Sequence, residues 1–422
     1  MTRRTYRPRV VDREVSDAMS ALGAVAIEGP KACGKTESAR QHAGSEVLLD
    51  LDPQAALAAR VDPRLVLDGP TPRLLDEWQI VPEIWNAVRR AVDDRGLAGQ
   101  FLLTGSARRP ADIRRHGGAG RFSIVQMRPM TLFERGKSSG AASISRLLDG
   151  EGPEPARSEL TVRDYASEVA TGGWPALLMA DEQAAVRFNR GYVDTIVDID
   201  IHTVDGVRRD PVRVRRFLHA FAQVVAHPAR LATIVQRAAG EDAGGGAGGG
   251  PSRWTGTEYL DALARLMVVE DQPAWQPELR SRSRLTAAPK RHLADPALAA
   301  ALLHRDAAGL LGDLRTFGFL FESLVVRDLR VFAQAARASV LHYREEKGDL
   351  ECDAVIERED GAWAAFEVKL GAADIDAAAT ALLRLAGRTV RKPACLGVLT
   401  ATGYTYRRDD GVLVIPVGAL GP

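Results

Sequence analysis

Apolar residues fall in two rhythms along this chain, and the rhythm changes twice. Up to about residue 134, short apolar runs end in polar or glycine-containing turns: Ala24-Val25-Ala26-Ile27, then 47–52, 73–77 and 100–106. Each has the length of a buried strand, and 84–92 carries its apolar residues at helical spacing. Strands alternating with helices predict a parallel α/β sheet. Residues 136–158 are rich in Gly, Ser and Glu and predict a loop at a boundary. From 159 to about 305 the pattern is mainly helical, as at 188–197 and 212–225, and Gly172-Gly173-Trp174-Pro175 ends one helix and starts another. Beyond about 309 the order becomes helix 317–332, strands 340–344, 351–357 and 363–369, helix 374–386 and strand 394–399. A chain of 422 residues is too long for one core, and these shifts divide it at 1–135, 159–305 and 309–422.

Within the middle region, 243–250 is dominated by glycine and predicts a flexible insert, because ordering it is entropically costly. Its flanks read as helix 231–239, helix 257–266 and a short strand 268–271, the layout of a winged-helix module. Glu258 and Asp261 on the second of these helices would meet nucleic-acid phosphates badly.

The apolar fraction of 45% and charged fraction of 26% are those of an ordinary globular protein. A net charge of +1 neither demands nor excludes nucleic acid, since local patches decide that. Cys33, Cys352 and Cys395 are odd in number and far apart, which argues against a disulfide frame or zinc cluster and for a reducing cytoplasm. The basic start (Arg3, Arg4, Arg7, Arg9) before the apolar 18–27 looks like a secretory leader, but Asp12, Glu14 and Asp17 interrupt it. No run of 18 apolar residues occurs, so no membrane span is expected.

The first strand runs into Gly29-Pro30-Lys31-Ala32-Cys33-Gly34-Lys35-Thr36, a complete G-x-x-x-x-G-K-[ST] phosphate loop. Gly29 and Gly34 let the backbone curl so that successive N–H groups face phosphate oxygens. Lys35 reaches the outer phosphates, Thr36 ligates Mg²⁺, and a helix starting near Lys35 adds its positive end. The chain is therefore expected to bind a nucleotide with Mg²⁺. Cys33 reads as a small filler residue. Hydrolysis needs more, and Leu74-Leu75-Asp76-Glu77 has the Walker B form: Asp76 for the metal, Glu77 to orient or polarise water. Thr104-Gly105-Ser106 ends the fourth strand, where a hydroxyl can touch phosphate or water, although T-G-S is also an ordinary turn.

Taken together, the phosphate loop, L-L-D-E-W-Q, F-L-L-T-G-S and Gly120-Arg121 resemble a family of prokaryotic AAA-type ATPases with a C-terminal domain of unknown function. The likeness runs from about Val11 to the end and includes Gly172-Gly173-Trp174-Pro175 and Phe321-Glu322. The resemblance implies ATP as the ligand, and no N-K-x-D guanine signature occurs. It places Ser106 or Thr104 at the sensor position and Arg121 where AAA proteins set a charge-neutralising finger. A finger acting in trans would imply a homo-oligomer; the alternative for Arg121 is a salt-bridged surface arginine.

The last region holds a second constellation. The spacing of Glu367-Val368-Lys369 puts the carboxylate and ammonium on one face of a strand, with Asp353 beside them if its strand pairs with theirs. Two ionised carboxylates about 4 Å apart repel by roughly 4 kcal/mol at an effective dielectric near 20. Such a pair should recruit a divalent cation, share a proton or splay apart; Mg²⁺ on oxygen ligands from Asp353 and Glu367 is the natural expectation. Lys369 would then orient water or neutralise a phosphorane-like transition state. This arrangement resembles the D…(D/E)-x-K core of restriction-endonuclease-like nucleases, with Glu322 at the accessory acidic position. Asp349 and Glu351 stand before Asp353 in place of a proline–aspartate pair.

The expectation is thus an α/β chain with an AAA-type P-loop sheet, a helical winged-helix-like middle and a restriction-endonuclease-like C-terminal domain. It would couple Mg²⁺-dependent ATP hydrolysis to an action on nucleic acid or a partner. Two alternatives stand beside that: a nucleotide-gated DNA-binding regulator, and a protein-binding switch of toxin–antitoxin or defence type, neither of which cuts.

Overall fold

The computed structural model describes residues 6–107, 118–240, 251–278, 288–345 and 348–422. The glycine-rich stretch 243–250 and the arginines Arg3 and Arg4 lie outside the described residues. The chain divides into two compact units, Met1–Pro129 with Arg265–Met267, and Met130–Ala264 with Val268–Pro422.

The first unit is built on a five-stranded sheet of β1 (Ala24–Glu28), β2 (Ser45–Leu48), β3 (Arg73–Asp76), β4 (Phe101–Gly105) and β5 (Phe122–Gln126), in the order β2-β3-β4-β1-β5. Every pairing is parallel, as the alternating pattern predicted. Helix Ile84–Arg95 buries Ile84, Trp85, Val88 and Val92. They join a core with Ala24, Ala26, Leu75, Phe101 and Leu103. Trp85 stacks on Phe122 at 3.9 Å between ring centroids.

The second expected strand is shorter than its apolar run. Asp52 instead caps helix Pro53–Val61, accepting from the N–H groups of Gln54 and Ala55 at 3.0 Å, with Pro53 in the first turn where its missing N–H costs nothing. β5 was not expected: Gly120-Arg121 before it reads only as the place of the finger arginine, and no strand is predicted after it.

The second unit carries helices and a mixed sheet. Its strands are β6 (Ala142–Ser143), β7 (Ala338–Arg344), β8 (Glu351–Arg358), β9 (Trp363–Lys369), β10 (Cys395–Thr400), β11 (Tyr406–Arg407), β12 (Leu413–Pro416) and β13 (Leu420–Gly421). The main sheet runs β11-β12-β10-β9-β8-β7. β7, β8 and β9 are antiparallel neighbours, while β9, β10 and β12 are parallel. Helix Ile375–Arg388 fills the crossover between β9 and β10, so the expected helix–strand–strand–strand–helix–strand order is present. The stretch expected as a loop contains β6, paired with β13, and helix Ile144–Leu148, whose Ile144, Leu147 and Leu148 are buried.

Helices Leu231–Ala239 and Arg253–Arg265 form where expected. The strand expected at 268–271 does not; Val269 makes only an isolated bridge to Leu293. Two valines followed by Glu270-Asp271 are too short an apolar run to sustain a ladder, and Asp271 turns to Arg291 instead. The core helix Leu314–Ala335 buries a charged knot, in which Arg327 pairs with Asp295 at 2.8 Å and Asp328 at 2.7 Å. No helix among the described residues is long and apolar enough to cross a membrane.

Candidate functional site

In the first unit, the loop between β1 and helix Lys35–Arg40 curls through Ala32 at φ 60° and Gly34 at φ 105°. Gly29 is required for space: a Cβ there would lie 2.3 Å from the Met127 carbonyl oxygen and 2.9 Å from Cys33 Sγ. Lys35 is buried, and its Nζ donates to the carbonyls of Gly29 and Pro30, each at 2.9 Å. That fixes the ammonium across the mouth of the loop. Cys33 packs inside, while Lys31 and Ala32 are exposed. Behind the loop, buried Arg9 donates from Nη1 to the Cys33 carbonyl and from Nη2 to the Arg128 carbonyl, both at 2.8 Å. Tyr6 Oη donates to Asp12 and shares a 2.8 Å bond with Ser38 Oγ.

β3 delivers the acidic pair. Asp76 Oδ1 accepts from Thr36 Oγ1 at 2.9 Å and from Thr104 Oγ1. Burial pushes the Asp76 carboxyl above its usual range, with the neighbouring charges of Glu77 and Asp50 adding to the rise and the two hydroxyls opposing it. Glu77 sits at φ 50°, a left-handed conformation that non-glycine residues rarely hold and that is enriched at functional sites. Its Oε2 accepts from Ser106 Oγ at 2.9 Å and from Gln79 Nε2, while Gln79 also reaches Ser106 Oγ at 3.3 Å. β4 lies between β1 and β3, which is why Thr104 and Ser106 meet both acids. Sequence reasoning missed Gln79 and Arg9; for Gln79 the signal was its place two residues after the acidic pair.

These residues fit a triphosphate and magnesium. A glycine cradle closed to any Cβ, a fixed ammonium, and a hydroxyl meeting a buried carboxylate at 2.9 Å form a donor set of the hard oxygen type that Mg²⁺ takes. Arg121 is not brought to them. Its backbone carbonyl accepts from Ala24 N at 3.1 Å, at the end of β1 opposite the loop, roughly 13 Å away at the usual strand rise. Its guanidinium bonds Asp93 at 2.7 Å and is half exposed, the salt-bridged surface arginine of the alternative reading.

In the second unit the predicted residues converge. β8 and β9 pair antiparallel with Ala354 opposite Phe366. This turns Asp353 toward Glu367, and Asp353 Oδ2 accepts from Val368 N at 3.0 Å. Lys369 Nζ donates to Glu367 Oε2 at 2.7 Å and stands 3.6 Å from Asp353 Oδ2. Helix Leu314–Ala335 adds Glu322. The unforeseen member is Lys290, whose Nζ donates to Glu322 Oε1 at 2.6 Å and Asp353 Oδ1 at 2.9 Å.

Burial and the charge of Asp353 push Glu322 and Glu367 up to about 8. Burial acts on Asp353 in the same sense, but Lys290 and Lys369 outweigh it and hold Asp353 below the usual carboxylate range. Among the described residues, no group of three His, Cys, Asp or Glu side chains is placed to hold a metal ion. As placed, this cluster does not fit Mg²⁺.

Residues 22–135 match the model of a family described as an AAA domain. Residues 162–309 and 317–420 match two further families, described as domains of unknown function (DUF8612 and DUF4143). The uncharacterized proteins Mb2031c of Mycobacterium bovis and Rv2008c of Mycobacterium tuberculosis are each 25% identical over 362 residues, covering 83% of this chain and 71% of theirs. Among solved structures, the Walker-type ATPase PABY2304 of Pyrococcus abyssi aligns with 14% identity and a TM-score of 0.43, covering 71% of this chain and 99% of that one. The Aeropyrum pernix ORC2 protein, solved in ADPNP–ADP complexes, aligns with 14% identity and a TM-score of 0.32, covering 72% and 91%. The AAA-domain match, lying over the phosphate loop and the acidic pair, supports ATP binding and hydrolysis by the first unit.

Proposed function

We propose that this chain is a magnesium-dependent ATPase that acts as a nucleotide-driven switch on a partner bound by its second unit. The observation that carries the ATPase reading is the divided hydrogen bonding of the acidic pair. Asp76 is tied to Thr36 of the loop, while Glu77 is held by Ser106 and Gln79. Two adjacent carboxylates with separate sets of partners suit two separate tasks.

Lys35 and the loop N–H groups bind and orient the phosphates, and Thr36 and Asp76 are the residues that would hold magnesium. When bound, that ion supplies charge neutralisation of the phosphate oxygens. Glu77 orients the attacking water and accepts its proton. Ser106 and Gln79 aim the Glu77 carboxylate, fixing it before the reaction rather than during it. Arg121 does not reach its own loop, so any contribution from it to phosphate chemistry would come from a second copy of the chain.

For the second unit we favour partner or nucleic-acid binding without cutting, because the Lys290 ammonium already bridges the two acids Glu322 and Asp353. The convergence of Asp353, Glu367, Lys369 and Glu322 supports the rival reading of a restriction-endonuclease-like nuclease. The tests are direct. Calorimetric titration with MgATP should show uptake by the wild type and none by Lys35→Ala; equal uptake by both would sink the ATPase reading. Labelled single- and double-stranded nucleic acid with Mg²⁺ or Mn²⁺ should remain intact. Cutting that Asp353→Ala abolishes would establish the nuclease instead. Binding that weakens steeply with salt would mark nucleic acid, rather than a protein, as the partner.

A further inference from the structure

The carboxylates of the second unit raise a question of charge: what neutralises Glu322, Asp353 and Glu367 where all three are buried? Lys369 serves Glu367 at 2.7 Å. The space between Glu322 and Asp353 is taken by Lys290, which is itself buried. Both Asp353 oxygens are thereby engaged, Oδ1 by Lys290 and Oδ2 by the Val368 amide.

Lys290 is not a loose surface side chain that happens to fold inward. Its backbone exchanges both hydrogen bonds with Gln272, N–H to carbonyl at 3.0 Å and carbonyl from N–H at 2.9 Å. Gln272 in turn donates from Nε2 to the Asp353 carbonyl at 2.9 Å and to the Leu341 carbonyl at 2.8 Å. It also meets His292, whose other ring nitrogen bonds Ser323 Oγ on the Glu322 helix at 3.0 Å. The segment that carries the ammonium is thus bonded to the strand and the helix that carry the acids.

We infer that Lys290 is a built-in cation: it fills the metal position of a nuclease-like carboxylate cluster, so this cluster excludes divalent metal as folded. A hard divalent cation binds carboxylate oxygens at about 2.0–2.6 Å, and the ammonium lies 2.6 and 2.9 Å from the same two acids. Both cannot occupy that space, and a dication placed beside the ammonium is repelled by it. The inference rests on the geometry of the second unit alone and stands or falls independently of the ATPase reading.

The experiment is a titration of the full nucleotide-free chain with Mn²⁺, following the free-ion EPR signal. Wild type and Asp353→Asn should give the same isotherm, because the cluster takes up no Mn²⁺ in either. Lys290→Ala removes both the charge and the side chain that fills the position between Glu322 and Asp353. It should gain one further Mn²⁺ site that the wild type lacks, and the added change Asp353→Asn should abolish that site. A wild-type Mn²⁺ site lost in Asp353→Asn would overturn the inference, as would a folded Lys290→Ala chain that gains none. Should Lys290→Ala fail to fold, the comparison of wild type with Asp353→Asn still decides the matter.

Discussion

The Glu77→Gln exchange tests the assignment of the water-orienting carboxylate most sharply, because the structure separates its chemical cost from its structural cost. Glu77 Oε2 accepts from Ser106 Oγ at 2.9 Å and from Gln79 Nε2. Glutamine keeps an oxygen in reach of both donors, so each bond changes from charge-assisted to neutral at a cost of about 1 kcal/mol. Against that, the exchange removes a negative charge that helps raise the Asp76 pKa. The net change in stability should therefore be small. Losing a general base, by contrast, slows a reaction by about 10²–10⁴-fold, or roughly 3–5 kcal/mol of barrier.

The assays are single-turnover phosphate release with MgATP, filter-bound retention of labelled ATP, and a thermal melt. The variant should melt close to the wild type, bind ATP and retain it unhydrolysed. Wild-type phosphate release by Glu77→Gln would refute the assignment outright. Loss of ATP binding with an intact melt would refute the division of labour between Asp76 and Glu77.

Gly29→Ala should lose ATP affinity and cost about 1–3 kcal/mol of stability, because the new Cβ would press on the Met127 carbonyl at 2.3 Å; calorimetry and a melt check both. His342 should cost the second unit stability in acid. Burial and the charge of Lys290 push the His342 pKa down from 6.5 to about 4, with Arg344 and Asp353 also facing the ring. The unfolded chain then binds a proton that the fold refuses, so stability present above pH 6.5 is lost as pH falls toward 4, by about 3 kcal/mol in full. Glu322 and Glu367, raised from 4.5 to about 8, act in the opposite sense, their contribution being lost as pH rises from 4.5 to about 8. The difference in urea stability between wild type and His342→Gln isolates the histidine, and an unchanged difference from pH 7 to 4 would contradict the reading.

What could be read from sequence were residues whose chemistry is tied to local spacing. The phosphate loop is contiguous, and the pairing of Glu367 with Lys369 follows from the two-residue period of a strand. Asp353 needed only one further assumption, that its strand lies next to theirs. Lys290 gave no such signal, because it sits 63 residues before Asp353 in a stretch held by isolated bridges, with no periodic pattern to mark its partners. Arg9 was hidden for the same reason. β5 and helix Ile144–Leu148 were missed because short segments beside glycines look like turns until a neighbouring surface, Trp85 for Phe122, covers them.

The grip of Arg9 on the Cys33 carbonyl makes the amino-terminal arm a handle on the phosphate loop. Tension applied to the arm, by a tether or by a macromolecule that seizes it, would be transmitted through the Arg9 guanidinium and the Tyr6–Ser38 bond to the curvature of the loop. The arm ahead of helix Val11–Ala21 is mechanically tied to the phosphate loop.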